Sequence, residues 1–228
     1  MKNPDALLVP VQPGATTTAL VYEAQENRVG AALVLGHGAG AGQRSTFIVE
    51  FARALSAAGL DLVTFNSLYA EQHRHAPDRA PLLEGCYRAV LEAVQREVAT
   101  AARSLFVGGK SMGGRIATQV AASNPALNVR GLVLLGYPLH PPGRPETRRD
   151  AHLPAVGRPM LFVQGSRDTF GTPDELRPVV ERLSPIAELH VVERGDHSFK
   201  LSGKDSGKQA LVYREVQQTI VAWVRRHA

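Results

Sequence analysis

A serine set between glycines, Gly109-x-Ser111-x-Gly113, is the part of this chain with the clearest chemical meaning. A serine hydroxyl is a weak nucleophile at neutral pH. It attacks an acyl carbon only when a base removes its proton, and that base needs an anion to hold its tautomer and stabilise its charged form. Two N–H donors must also face the oxyanion of the tetrahedral intermediate. The sequence offers a candidate for every role. Ser111 is the nucleophile, His197 in Gly195-Asp196-His197 the base, and Asp168 in Gln164-Gly165-Ser166-Arg167-Asp168 the orienting anion. The amides of Met112, directly after the serine, and of Ala39, with Gly40 as the alternative, are the expected donors.

The competitors are weaker on position. Of the eight histidines, His190 lies inside an apolar run and reads as packed. His73, His75, His140 and His152 fall in surface connections, His227 is terminal, and His37 sits in a glycine loop that it is expected to brace. Asp196 adjoins His197, and neighbours along a chain rarely aim side chains at each other. Asp174 falls in the first turn of a helix, where an acid complements the helix dipole.

Other motifs fail on spacing. Gly109-Lys110-Ser111 resembles the end of a phosphate-binding P-loop, but that motif wants glycine where Ser104 stands, and residues 105 to 107 belong to a strand. Gly36-x-Gly38-x-x-Ala41 fits a permissive dinucleotide fingerprint, yet the next strand ends at Phe65-Asn66 with no acid for a ribose. His73-x-His75 and Asp196-His197 are too sparse for a metal. No cofactor and no metal are expected.

These residues need elements that bring them together. Leu105 to Val107 reads as a buried strand, and Ile116, Ala117, Val120 and Ala121 recur at helical spacing, so Ser111 sits on a strand-to-helix elbow. Leu7 to Val11 and Thr17 to Tyr22 flank Pro13-Gly14 as a hairpin. Ala31 to Leu35, Leu60 to Phe65, Gly131 to Leu135, Met160 to Val163 and Leu189 to Val192 are further strands. Helices are expected after Ser45 or Thr46, across Tyr87 to Val98, from about Pro173, and through Val212, Val216, Ile220, Trp223 and Val224. Pro178 is expected to confine the third of these to its first turns or to kink it. Tyr137 to Arg158 reads as a long surface excursion.

A hairpin followed by alternating strands and helices predicts an α/β fold as one domain over residues 1–228. Its sheet is mostly parallel, with an N-terminal antiparallel hairpin and helices on both faces. Ligands in such sheets gather at the carboxyl ends of the strands, where Ser111, Asp168, His197 and the glycine loop from Gly36 all fall. With about fourteen residues after Asn66 and about twenty after Tyr137, only a minimal cap fits.

Composition narrows the class. A net charge of +5 without a long Lys/Arg block gives no nucleic-acid arm. No apolar stretch approaches the length of a membrane span. Met1-Lys2-Asn3-Pro4-Asp5 lacks the layout of a secretory signal, and Cys86 is the one cysteine, so a cytoplasmic location is expected. Oligomeric state is left open.

The chain resembles the α/β-hydrolases along essentially its whole length, and Ser, Asp, His is their order of catalytic residues. It is most similar to the small serine hydrolases grouped with testis-expressed protein 30 and the third subunit of the NSL histone acetyltransferase complex. Tyr137-Pro138-Leu139-His140-Pro141-Pro142 is the narrower run that carries that resemblance, whereas the elbow Gly109-Lys110-Ser111-Met112-Gly113-Gly114-Arg115 and the Asp and His positions are shared across the superfamily. Dienelactone hydrolases are alike in size but carry cysteine at the nucleophile. The resemblance implies hydrolysis without a cofactor, and a small-molecule ester or acyl substrate. A carboxylesterase is the leading expectation. A peptidase, thioesterase or amidase would use the same residues, and a non-catalytic interaction module would keep only the fold. Arg74, Arg79, Arg144, Arg148 and Arg149 all lie in the two cap connections, where solvated charge is the first expectation and attraction of an acidic acyl group the second.

Overall fold

Apolar runs without alternation must be covered on both sides, and five such runs are strands with every residue buried. They are β3 (Ala32–Gly36), β4 (Asp61–Phe65), β5 (Leu105–Lys110), β6 (Gly131–Leu135) and β7 (Met160–Gly165). The computed structural model describes residues 2–203 and 206–228. Among these, β1 (Asp5–Gln12), β2 (Ala15–Tyr22) and β8 (Ala187–Val192) complete one sheet in the order β1-β2-β4-β3-β5-β6-β7-β8. β1 with β2 and β2 with β4 pair antiparallel, and every later pair is parallel. The expected hairpin and parallel body are both present.

Alternate residues of each strand feed opposite layers. From β3, Ala32 and Val34 pack beneath α3 (Ala80–Glu97), α4 (Met112–Ser123) and α5 (Pro173–Arg182). Leu33 and Leu35 pack beneath α1 (Thr46–Ala57) and α6 (Ser206–His227). β3 lies between β4 and β5, so the chain leaves β3 in one direction for β4 and later crosses to β5 on the other side. The crevice at such a reversal of strand order is where α/β sheets bind ligands. Here it is floored by the ends of β3 and β5.

Several expectations need correction. The polar connection after Asn66 contains a short helix, α2 (Leu68–Glu71), with Leu68 and Tyr69 buried. The segment from Tyr137 to Arg158 is a surface excursion only in its middle: Pro142 to Arg148 is exposed, whereas Tyr137, Leu139, Leu153 and Val156 are buried, and Leu153–Val156 forms a 3-10 turn. These four are too few and too irregularly spaced to show a period, yet they reach the core. Two histidines move with it, since His140 is buried against Glu175 (3.1 Å) and His152 bonds Thr118 Oγ1 (2.8 Å). His190 is only partly buried.

Pro178 does not stop α5, which runs four residues beyond it. The lost N–H would have bonded the carbonyl of Asp174, whose side chain is 93% exposed, so water can take its place. A capping box between Thr172 and Glu175 holds the start, and Leu176 and Val179 are buried.

Trp223 ties α6 to the sheet. It is 1% exposed, meets Phe106 edge-on at 5.8 Å, and donates its indole N–H to Glu188 (2.9 Å). Trp223→Ala is expected to cost about 3–5 kcal/mol, read as a lower urea midpoint.

Candidate active site

β5 must turn into α4 within one residue, and Ser111 makes that turn with φ 51° and ψ −114°. For a residue with a side chain this backbone is strained, on the order of 1–3 kcal/mol. Close packing holds it. A Cβ on Gly109 would stand 2.5 Å from the Gly36 carbonyl oxygen, and one on Gly113 would overlap both Gly36 and His37 backbone. The Ser111 amide is anchored to the Leu135 carbonyl (2.9 Å). The hydroxyl is left above the sheet, next to the first turn of α4, whose amides have no intrahelical acceptor.

Residues far apart in sequence meet at this point. His197 Nε2 lies 2.8 Å from Ser111 Oγ, and His197 Nδ1 lies 2.7 Å from Asp168 Oδ2. With Nδ1–H donating to the carboxylate, Nε2 is free to accept the serine proton. Phe170 stacks on the imidazole at 4.2 Å and fixes its plane.

Asp168 is wholly buried, and a carboxylate there must find donors. Besides His197, Gln164 Nε2 donates to Oδ2 (2.7 Å) and the Phe170 amide to Oδ1 (2.8 Å). Gln164 is itself held: its Oε1 accepts from the Tyr137 amide (2.8 Å), and its Nε2 also reaches the Gly171 carbonyl (2.7 Å). Gln164 is not among the residues expected from the sequence, although an amide closing an apolar buried run needs partners.

The loop after β3 forms the other wall. His37 is buried, its Nδ1–H donates to the Gly38 carbonyl (2.8 Å) and its Nε2 accepts from the Ser67 amide (3.0 Å). Burial lowers its pKa and keeps it neutral, as that bonding requires. Ala39 and Met112 line the same cleft as Ser111 and His197. The Gly40 amide faces the Tyr69 hydroxyl without closing to full hydrogen-bond geometry. The cleft encloses about 520 Å³, enough for a small ligand.

Two cations stand closer to the serine than the sequence suggested. Lys110 lines the cleft at 7% exposure, its ammonium 5.8 Å from the Phe47 ring. Arg115 lines it from the first turn of α4. Of the cap arginines, only Arg149 joins them. Arg74 is paired with Asp78 (2.6 Å), Arg148 with Asp150 (2.7 Å), and Arg79 and Arg144 are exposed outside the cleft. Among the described residues no group of His, Cys, Asp and Glu is placed to hold a metal, and no helix is long and apolar enough to cross a membrane.

The model of a family described as alpha/beta hydrolase domain matches residues 29–225. An α/β serine hydrolase without lid from Xanthomonas campestris is 20% identical, with a TM-score of 0.75 over 97% of this chain and 95% of that one. An alpha-beta serine hydrolase homologue from Coxiella burnetii is 18% identical, with a TM-score of 0.74 over 100% and 99%. Dienelactone hydrolase from Anabaena variabilis is 20% identical, with a TM-score of 0.73 over 99% of each chain. At these identities the likeness is one of fold.

Lys110 gives a test of the site's cost. Burial pushes its pKa down from 10.5 to about 8, against the pull of Asp168 and Asp196. Both folded and unfolded chains carry the charge at pH 7, so the fold bears the penalty there. Between about pH 8 and 10.5 the unfolded chain binds more protons, and stability rises with pH. Lys110→Met is therefore expected to gain on the order of 3 kcal/mol at pH 7, and the gain should fade as denaturation is repeated towards pH 10.5.

Proposed function

The chain belongs to the alpha/beta hydrolase family, and from that membership we propose that it is a serine hydrolase, a carboxylesterase acting on small to medium esters through an acyl-enzyme on Ser111. The observation that carries this reading is the run of contacts from Ser111 Oγ to His197 Nε2 (2.8 Å) and from His197 Nδ1 to Asp168 Oδ2 (2.7 Å). His197 takes the proton of Ser111 as Oγ bonds to the ester carbonyl carbon. The oxyanion that forms is held by the amides of Met112 and Ala39, each such donor contributing about 2.7–4 kcal/mol to the transition state. Collapse breaks the bond to the alkoxy oxygen, which leaves with the proton from His197 Nε2. Water then attacks the acyl-enzyme, giving its proton to His197, and Ser111 leaves with that proton as the acid is released.

Asp168 stays ionised throughout and stabilises the imidazolium. Its burial strengthens that interaction, since no water competes at the carboxylate. Gln164 acts through it by fixing the carboxylate, and Phe170 stacks on the His197 ring from the wall of the cleft. We read the cleft as having no lid domain over it among the described residues, like the α/β serine hydrolase without lid from Xanthomonas campestris. We also propose that the chain is one domain and falls in the subgroup with testis-expressed protein 30 and the third NSL complex subunit, on its Tyr-Pro-Leu-His-Pro-Pro run. A cytoplasmic location goes with that reading.

A fluorophosphonate probe tests the assignment. One adduct on intact mass, absent in Ser111→Ala, is the expected result, and an unlabelled wild-type protein would favour an interaction module. Asp168→Asn should lower kcat by about 10⁴-fold, the scale of that change in a serine protease, with the fold retained by circular dichroism.

A further inference from the structure

The cleft holding Ser111 and His197 is lined by three cations, Lys110, Arg115 and Arg149, and by one carboxylate, Asp78. Asp78 is already engaged on both oxygens, Oδ1 by Arg74 (2.6 Å) and Oδ2 by the Tyr69 amide (3.0 Å). It balances none of the three.

Of the other arginines in the two cap connections, Arg74 and Arg148 are paired, and Arg79 and Arg144 are exposed outside the cleft. Asp150, next in sequence to Arg149, accepts from Arg148 (2.7 Å) and Arg182 (3.3 Å) instead. Glu84, the acid whose field reaches Arg115, lies against Arg88 (3.6 Å). Among the described residues the guanidinium groups of Arg115 and Arg149 have no hydrogen-bonded or ion-paired partner, and Arg115 Nε is buried without an acceptor. Each lies in the other's field, which disfavours the charge on Arg115. Two like charges held together, half-buried and unsatisfied, cost the fold unless something else binds there.

We propose that Arg115 and Arg149 form a subsite for an anionic group of the substrate, so that the preferred esters carry a carboxylate or a phosphate beside the bond that is cut. Planar guanidiniums present paired N–H donors that match the oxygens of either anion. Arg115 follows Ser111 by one helical turn, about 5–6 Å along α4, so the anion sits only a few atoms from the reacting carbonyl. A short half-ester has that span. Lys110 adds positive potential in the same cleft and favours entry of the anion. The preference for such esters rests on the serine-hydrolase reading, whereas the binding of the anion does not.

Two measurements separate these. The first compares kcat/KM for monomethyl glutarate, for methyl 4-phosphonobutanoate, and for the neutral methyl 5-oxohexanoate. At least one anionic ester should exceed the neutral one by tenfold or more, and which of them does so identifies the anion. That ratio should fall by tenfold or more in Arg149→Gln and in Arg115→Gln, and should shrink as salt is raised. Equal specificity constants for all three esters, or a ratio indifferent to both substitutions, would overturn the proposal and leave the hydrolase standing. The second measurement follows thermal melting of Ser111→Ala with the same three compounds. An upward shift with an anionic ester, absent with the neutral one and lost when Arg149→Gln is added, supports the subsite even in a protein that turns over none of them. No shift with either anion would overturn it.

Discussion

The end of β3 and the first turn of α4 touch backbone to backbone, and that contact leaves no room for a side chain on Gly113 and little on Gly36. A Cβ on Gly36 would stand 3.1 Å from Gly113 Cα, and one on Gly113 would overlap Gly36 itself. The rest of the site depends on this approach. It lets Ser111 hold a backbone that few residues adopt, and the loop carrying Ala39 lines the same cleft as Met112. Strand order makes the contact available, because β3 and β5 are sheet neighbours although α1, β4, α2 and α3 separate them along the chain.

Around that contact the buried polar groups are treated in two ways. Asp168 has a donor for each oxygen, and the side chain supplying one of them, Gln164, is satisfied in turn. Such a network is rigid, which suits a group whose task is to hold an imidazole in one orientation. The cations of the cleft are the opposite. Lys110, Arg115 and Arg149 carry charge in half-buried or buried positions without carboxylate partners among the described residues. Satisfied groups hold the geometry, and unsatisfied ones face the space where a ligand would lie.

Much of the architecture was legible from the chain, for a local reason. Glycine at positions 109 and 113 and unbroken apolar runs reflect constraints acting within a few residues, and those constraints mark strands and the elbow. Where long-range contacts decide, the reading failed. Pro178 sits inside α5 with four helical residues after it, and Tyr137, Leu139, Leu153 and Val156 reach the core without any period. The arginines show the same limit. Five stood out by position in the cap connections, yet the cleft takes only Arg149 of these, together with Arg115 from the elbow.

The sequence by itself determined which residue types stand at strand ends, and with them the α/β layout and the short set of groups able to do acyl chemistry. Only the tertiary structure decided that the imidazole of His197 lies 2.8 Å from a serine 86 residues away, that Gln164 supports the carboxylate behind it, and which cations remain unpaired. The reason is one of range. Backbone conformation and apolar periodicity are set by neighbours along the chain, whereas hydrogen bonding and charge pairing depend on distances through space that exist only once the sheet has closed.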